Sequence, residues 1–349
     1  MPLKIFSDFH HSGLYKSLHL LFENRLGHEL YRPIGTEFYE NGYWKIAEPY
    51  QNNPATIAQY LGYNTLPIDH STPLNDVDLE DKGIFYIRAD GYQQKAITLH
   101  SFKHMPIDVV IASYQPHVEC YMDLIKKYHP EAKLITQLGN EWTIDPNMSK
   151  NVLASIEPKL IPQCILNNCF YHQEFEWPGK FEPTQNKQLS SFVNTLDTAG
   201  YLRDDWAYFQ TLERSLKEYS FKCHGGGCRD GALGSKDMFE TIKNTRYGIH
   251  LKNGGDGYGH VAHTWFACGR PVIFRGSQYK EKLAGKLMDH GVTGWDVERI
   301  SPNALVEIIR HQDEKDYNLM CEMAYQRFIQ VVDFDKEAQQ VQEFMERLV

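Results

Sequence analysis

The stretch that decides the fold covers residues 248–274 and reads GIHLKNGGDGYGHVAHTWFACGRPVIF. The apolar run at 247–251 predicts a strand, and a second β-type run follows at 271–274. Between them lie a glycine-rich tract at 254–259 and a segment whose apolar residues, Val261, Trp265 and Phe266, share one helical face. The stretch therefore predicts strand, loop, helix and strand in succession.

The glycine-rich tract is suited to close contact with a ligand. Gly254, Gly255, Gly257 and Gly259 permit positive φ and let the backbone approach a bulky group. The helix that follows points its unpaired N–H groups back at the loop, which favours an anion, most often a phosphate. The spacing matches neither the dinucleotide fingerprint nor a Walker loop, so those sites are disfavoured. A plain strand-to-helix connection is the alternative interpretation.

The complete string resembles the donor-site motif of nucleotide-sugar glycosyltransferases with the GT-B fold, most closely the retaining members (group 1, family 4-like). In that family an acid opens the motif, Gly-Phe/Tyr-Gly follows, and a second acid lies eight positions after the first. Here Asp256 is the first acid and Thr264 occupies the eighth position. Because the second acid usually holds the donor's ribose hydroxyls, Thr264 leaves the donor and the stereochemical outcome open.

The resemblance implies an α/β chain with two Rossmann-like, doubly wound domains facing a cleft. A length of 349 residues suits two such domains better than one core. The predicted domains are an acceptor-side domain at 1–180 with an irregular insertion at 37–82, and a donor-binding domain at 181–330. A C-terminal helix at 331–349 is expected to return to the first domain. The insertion is interpreted as an acceptor-binding flap or a surface excursion.

Composition excludes several function classes. The chain is 42% hydrophobic and 23% charged, as in soluble globular proteins. Its net charge of −9 argues against a broad nucleic-acid surface. We expect neither a spanning helix nor a signal peptide, because no long uncharged apolar run or basic leader is present. Peripheral membrane contact stays open.

Cysteine usage favours a reduced, cytoplasmic protein. The seven cysteines are scattered and lack paired C-x-x-C spacing. Cys223, His224 and Cys228 suggest a metal site. However, three glycines separate His224 from Cys228, and no second close pair follows, which argues against a structural zinc.

The first loop of the chain holds the best candidates for acid–base chemistry. A strand at 3–6 and a helix after it begin a βαβ unit, whose first loop lies at the carboxyl edge where ligands bind. His10 and His11 lie in that loop, and histidine changes charge near neutral pH. Gly13 closes the loop and is assigned to the donor site. Glu141, after a later strand, is a second catalytic candidate or a surface turn.

The second half repeats the alternation of strand and helix. A strand at 220–223 precedes Gly225, Gly226 and Gly227, so two glycine-rich loops can converge on one pyrophosphate. Arg229 and Lys252 are the cations expected to bind it, and surface salt bridging is their alternative role. A helix is predicted at 280–290, and a helical tail from 317 breaks near 332–335.

These patterns predict a glycosyltransferase moving a hexose-type sugar from a nucleoside-diphosphate donor, a UDP- or GDP-sugar, to a glycan, lipid-linked or small-molecule hydroxyl. We expect no metal, because fixed N–H dipoles and cations stabilise the leaving group. The catalytic candidates are His10, His11 and Asp256. The predicted donor-binding residues are Gly13, Gly225, Gly226, Gly227, Arg229, Lys252, Gly257, Tyr258, Gly259, His260, Val261 and Thr264.

Three alternatives stay open at this point. The first is an inverting transferase with His10 or His11 as the base, whereas the motif at Asp256 favours retention. The second is a nucleotide-sugar epimerase, because one fold supports several functions. The third is a non-catalytic nucleotide- or carbohydrate-binding protein, an interpretation that Thr264 supports.

Overall fold

The computed structural model describes residues 1–8, 12–34, 37–40, 83–89, 92–113, 117–138, 149–154, 181–252, 258–280 and 282–349. The chain divides into two compact units, the first made of Met1–His172 with Phe334–Val349 and the second of Gln173–Asp333. The predictions for His10, His11, Glu141, Asp256 and Gly257 lie outside the described residues, as does the insertion from residue 41 onward.

The first unit contains a seven-stranded sheet. Its strands are β1 (Lys4–Ser7), β2 (Glu29–Pro33), β3 (Ile84–Ala89), β4 (Tyr92–Ile97), β5 (Val109–Ala112), β6 (Lys133–Leu138) and β7 (Val152–Ala154). They lie in the order β3-β4-β2-β1-β5-β6-β7, parallel except for the β3–β4 hairpin. Without the edge strand β3, the six parallel strands have the order 3-2-1-4-5-6 of a Rossmann domain.

The helices of the first unit follow the apolar pattern of the sequence. They are α1 (Ser12–Leu18), which continues as a π-helix (His19–Arg25), α2 (Glu37–Glu40), α3 (Leu99–His104), α4 (Val118–Tyr128) and the last helix of the chain, α11 (Phe334–Leu348). Helix α4 buries Val118, Tyr121 and Leu124 at helical spacing. The Thr98 hydroxyl accepts the Ser101 N–H at 3.1 Å and caps α3.

The second unit contains a five-stranded sheet that is parallel throughout. Its strands are β8 (Gln188–Ser191), β9 (Ser220–Cys223), β10 (Tyr247–His250), β11 (Val272–Phe274) and β12 (Gly294–Asp296), in the order β12-β11-β10-β8-β9. Every residue of β10 and β11 is buried, as expected for strands covered on both faces of a parallel sheet.

Helices alternate with these strands along the chain. They are α5 (Arg203–Ser215), α6 (Ser235–Lys243), α7 (His260–Ala267), α8 (Gly276–Tyr279), α9 (Pro302–His311) and α10 (Glu314–Val331). Helix α7 contacts α10, and α5 contacts α9. No helix in the described part of the chain has the length and apolarity needed to cross a bilayer.

One tight contact fixes helix α7 on the sheet. Trp265 is completely buried, and its indole lies against the backbone of Gly248 in β10. A β-carbon on Gly248 would come within 2.6 Å of the indole Cδ2, closer than real contacts of this kind. Glycine at this position therefore lets the largest side chain of α7 pack directly on the strand.

The prediction of a helix at 280–290 is wrong. Its described residues form only the 3₁₀ turn Leu283–Lys286 and irregular backbone around it. A β-carbon on Gly285 would overlap the carbonyl oxygen of Tyr279, so the chain folds back tightly here. The predicted break in the helical tail is confirmed, because α10 ends at Val331 and α11 begins at Phe334.

Replacing Gly248 with alanine should destabilise the second unit by about 1–3 kcal/mol, since the new methyl group has to displace the Trp265 indole. Gly200→Ala is the matched control, because a β-carbon there meets nothing within 4 Å. It should change stability by less than about 0.5 kcal/mol. Urea denaturation followed by circular dichroism measures both. Equal midpoints for the two variants would contradict the packing role of Gly248.

Candidate functional site

The second sheet has a switch point between β8 and β10. Strand β9 lies on one side of β8 and the rest of the sheet extends from the other side through β10. In open parallel sheets of this kind, ligands bind at the carboxyl ends of the strands where the order reverses. Strands β8 and β10 end at Ser191 and His250. The segments after these two residues therefore form the candidate site.

The N-terminus of helix α7 lies at this edge. Gly259 is its N-cap, in the left-handed region with φ +79°, and it supplies no side-chain cap. A β-carbon on Gly259 would lie 2.8 Å from that of Ala284, so a larger residue does not fit. The positive end of a helix dipole favours anions, and first-turn N–H groups have no partner within the helix. Gly259, His260 and Val261, all predicted donor-binding residues, form this helix start.

Tyr258 and Thr264 have definite structural contacts in and beside α7. The buried Tyr258 ring stacks on His263 with centroids 4.0 Å apart and planes 8° apart. His263 Nδ1 donates to the Gly259 carbonyl at 2.9 Å, which orients both rings. Thr264 is completely buried, and its hydroxyl donates to the His260 carbonyl at 3.2 Å. The hydroxyl of Thr264 therefore already has a partner within the helix, and its predicted role at the ribose or diphosphate stays a prediction.

The loop after β9 packs against the loop after β8. A β-carbon on Gly225, where φ is +140°, would come within 3.0 Å of Asn194 Cα, and one on Gly227 within 3.2 Å of Thr195 Cγ2. The Thr195 N–H donates to the Gly226 carbonyl at 2.9 Å. Thr195 itself has φ +57°, a costly conformation for a β-branched residue and one that occurs often at functional sites.

Most N–H groups of this second glycine loop already have partners. Gly225 donates to the Gly231 carbonyl at 3.0 Å, and Gly226 donates to Asn194 Oδ1 at 2.8 Å. The N–H groups of Cys228 and Arg229 are also bonded, to the Gly225 carbonyl at 3.1 Å and to an Asp197 carboxylate oxygen at 2.9 Å. The glycines here therefore serve the contact between two loops more directly than they serve an anion.

Arg229 is held by a carboxylate on helix α5. Its guanidinium makes two hydrogen bonds to Glu213, at 2.6 and 3.1 Å, and the pair raises the pKa of the arginine. The guanidinium also lies 5.6 Å from the ring centre of Trp206 and 5.5 Å from that of Phe209. A pyrophosphate would have to compete with these contacts. Lys252, the other predicted cation, follows β10 directly and its side chain is partly buried.

The first unit holds a buried polar cluster that sequence reasoning missed. Asp8 follows β1 and is 1% exposed. One of its oxygens accepts the N–H of Ser113 at 2.8 Å and the Ser113 hydroxyl, and the other accepts His117 Nδ1 at 2.6 Å. His117 precedes α4 and is completely buried. Strands β1 and β5, which lead into these residues, are the pair where the strand order of this sheet reverses.

The cluster therefore lies at the switch point of the first sheet, the edge where ligands bind in open parallel sheets. Helix α1 begins at Ser12, four residues after Asp8 and directly after His11 in sequence. Gly13 lies in its first turn. The sequence feature that could have indicated this cluster is Asp8, an acid between the buried strand β1 and the loop that ends at Gly13. Its partners, Ser113 and His117, lie more than a hundred residues away along the chain.

Comparison with known proteins gives a clear structural result. No protein-family model matches the chain. No curated protein matches its sequence. Among solved structures, a glycosyltransferase from Rickettsia africae ESF-5 is similar over 99% of this chain and 98% of its own, with a TM-score of 0.56 and 14% identity.

Two further solved structures are similar over almost the whole chain. HepE of Anabaena, solved in complex with UDP-glucose, gives a TM-score of 0.58 at 12% identity over 99% of this chain and 100% of its own. AviGT4, a glycosyltransferase involved in avilamycin A biosynthesis, gives a TM-score of 0.54 at 10% identity over 99% of this chain and 98% of its own. The chain therefore has the α/β fold of these proteins, with two parallel sheets, which confirms the predicted GT-B fold class.

Arg229→Ala should lower stability by about 1 kcal/mol, because it removes a partly exposed ion pair and contacts with two aromatic rings. We expect the dissociation constant for a nucleoside diphosphate to change less than about twofold, since the guanidinium is already engaged by Glu213. Thermal unfolding and calorimetric titration measure the two quantities. A tenfold loss of affinity with an unchanged melting temperature would instead support the pyrophosphate role.

Asp8→Asn should destabilise the first unit by about 3–5 kcal/mol, because it leaves buried donors around His117 without a carboxylate. Asp123→Asn is the control, since Asp123 is exposed on α4 of the same unit, and it should be nearly neutral. Thermal unfolding of both variants is the measurement. If Asp8→Asn lowers the stability no more than Asp123→Asn does, the cluster contributes nothing to the stability of the fold.

Proposed function

We propose that the protein is a glycosyltransferase that takes a sugar from a nucleoside-diphosphate donor. The observation that carries the proposal is the full-length fold match to solved glycosyltransferases, together with HepE, whose structure holds UDP-glucose. A UDP-hexose is therefore the first donor to test and a GDP-hexose the second. The acceptor is a hydroxyl of a glycan, a lipid-linked sugar or a small molecule.

The proposed donor site is built around the start of α7. First-turn N–H groups of this helix, near Gly259 and Val261, would bind the diphosphate with the help of the helix dipole. Lys252, directly after β10, would add a positive charge. Asp256 would hold sugar hydroxyls. Thr264 would lie close to the ribose or the diphosphate.

The chemistry follows from charge that develops on the leaving group. Cleavage of the sugar–phosphate bond leaves a nucleoside diphosphate, and fixed N–H dipoles and a lysine stabilise it without reorganisation. We propose that this stabilisation needs no metal at the diphosphate. Exclusion of water by conformational closure would protect the donor from hydrolysis.

The stereochemical course depends on residues outside the described part of the chain. The motif at Asp256 favours retention, whereas His10 or His11 acting as a base would give inversion. A general base of this kind contributes about 10²–10⁴-fold to the rate. The anomeric configuration of the product, read by NMR, separates the two courses.

We expect the purified chain to bind UDP and UDP-glucose in calorimetric titrations, with GDP, ADP, CMP and dTDP as competitors for specificity. Lys252→Ala should weaken the binding of UDP and of UDP-glucose about tenfold, because a charge-assisted contact of about 1.5 kcal/mol is lost. Asp256→Asn should weaken UDP-glucose and leave UDP unchanged, since Asp256 is assigned to the sugar. Lys222→Ala, which removes an exposed lysine from β9, is the control and should bind as the wild type does.

Slow hydrolysis of the bound donor without acceptor would separate a transferase from a protein that only binds nucleotides or sugars. A non-catalytic binding protein is tested as the alternative because Thr264 stands where the resembled motif has its second acid. If no nucleoside diphosphate binds, the proposed function fails. If a donor binds but is never hydrolysed or transferred, a non-catalytic binding protein takes its place.

A further inference from the structure

Three side chains capable of binding a metal meet beneath the loop after β9. Cys223 ends β9, Cys228 follows the three glycines of the loop, and Asp197 comes from the segment after β8. Their ligand atoms, two sulfurs and a carboxylate oxygen, all lie within 4.8 Å of one another. The sequence displayed the two cysteines, but the fold supplies the third residue from a different loop.

The polar groups of this cluster are incompletely satisfied. Asp197 Oδ2 accepts the Arg229 N–H at 2.9 Å, whereas Asp197 Oδ1 is buried and has no hydrogen-bond partner among the described residues. Cys223 is completely buried and Cys228 nearly so. A buried carboxylate oxygen without a partner is costly. A cation placed between Oδ1 and the two sulfurs would remove that cost.

We propose that Asp197, Cys223 and Cys228 bind one Zn²⁺ ion. Two thiolates and a carboxylate are a donor set that zinc accepts, and the thiolates disfavour magnesium and calcium. Zinc bonds of about 2.3 Å to sulfur and about 2.0–2.2 Å to oxygen require the three atoms to approach by at most roughly 1 Å. Water completes the tetrahedron as the fourth ligand.

Binding is coupled to the loss of two protons. Burial raises the pKa of the Cys223 thiol, and the neighbouring Cys228 raises it further. Cys228 donates its S–H to the Val193 carbonyl at 3.2 Å and gives up that bond on binding. Each S–H loses a proton to solvent, and each sulfur keeps its electron pair for the metal, so one ion releases two protons.

The ion would connect the two loops that form the carboxyl edge around β8. Asp197 follows the strained Thr195, and the cysteines flank Gly225 and Gly227, which pack on that segment. The role of the ion is therefore to hold the two loops of this edge together. This zinc is distinct from any ion at the donor diphosphate, and the inference stands whether or not the protein transfers sugar.

The test uses the full chain, stripped with a chelator and kept reduced with a phosphine. Titration with Zn²⁺ should show one ion per chain, and calorimetry in two buffers of different ionisation enthalpy should show two protons released. Co²⁺ in place of Zn²⁺ should give a thiolate-to-cobalt charge-transfer band in the near ultraviolet. This band reports sulfur ligation directly and separates the site from adventitious binding by the 16 histidines of the chain.

Cys223→Ser and Cys228→Ser should each weaken Zn²⁺ binding at least about 100-fold, since even outer-shell partners of a metal cost 10–100-fold. Asp197→Asn should weaken it at least about tenfold and keeps the size of the side chain in case the cysteine variants do not fold. Cys120→Ser, in α4 of the other unit, is the matched control and should bind as the wild type does.

Two results would overturn the proposal. One is a wild-type chain that shows no charge-transfer band with Co²⁺. The other is Zn²⁺ binding that survives in a folded Asp197→Asn or Cys228→Ser variant with unchanged affinity and proton release. Failure here leaves the donor-binding experiments unaffected, since those measure nucleotide affinity at a different group of residues.

Discussion

The packing of the Trp265 indole on the bare backbone of Gly248 fixes the edge of the second sheet. It sets how closely α7 approaches β10, and the N-cap Gly259 is confined in turn by Ala284. Two glycines of the sequence motif are therefore required by packing before any ligand is considered. The consequence for function is geometric, because a helix held at both points presents its first turn at the switch point of the sheet.

The sequence predicts well where the apolar period is regular. The apolar residues of helix α4 (Val118–Tyr128) recur at helical spacing up to His129 and Pro130, and this pattern in the sequence alone predicts the helix. The strands predicted at 3–6, 220–223, 247–251 and 271–274 are also present, whereas β4 (Tyr92–Ile97) was not predicted. The helix predicted at 280–290 shows the limit, since the chain there folds back tightly enough that a β-carbon on Gly285 would overlap the carbonyl oxygen of Tyr279.

Contacts that depend on strand order could not be predicted. Asp8 and His117 are 109 residues apart, and only the position of β5 beside β1 brings them together. The approach of Asp197 to Cys223 and Cys228 depends in the same way on β8 lying beside β9. A sequence displays which residue types are present, whereas these clusters are formed by the pairing of strands that no local pattern encodes.

The glycine-rich loop after β9 is bonded largely to the protein itself. In the loop after β9 the N–H groups of Gly225 and Gly226 bond to the protein itself, and Arg229 is held by Glu213. At the start of α7 the N-cap residue is Gly259, which among the described residues supplies no side-chain cap. The glycines after β9 are therefore explained by the packing of two loops, without a bound anion.

The position that carries a second acid in the resembled motif carries a neutral residue here. The hydroxyl of Thr264 is bonded to His260 within the helix, so this position contributes packing and no charge. A carboxylate there would place a negative charge one turn from the positive end of the helix dipole, whereas threonine adds no charge. Thr264 therefore cannot supply the carboxylate acceptor that the resembled motif has at this position, and it leaves the charge at this end of the helix unchanged.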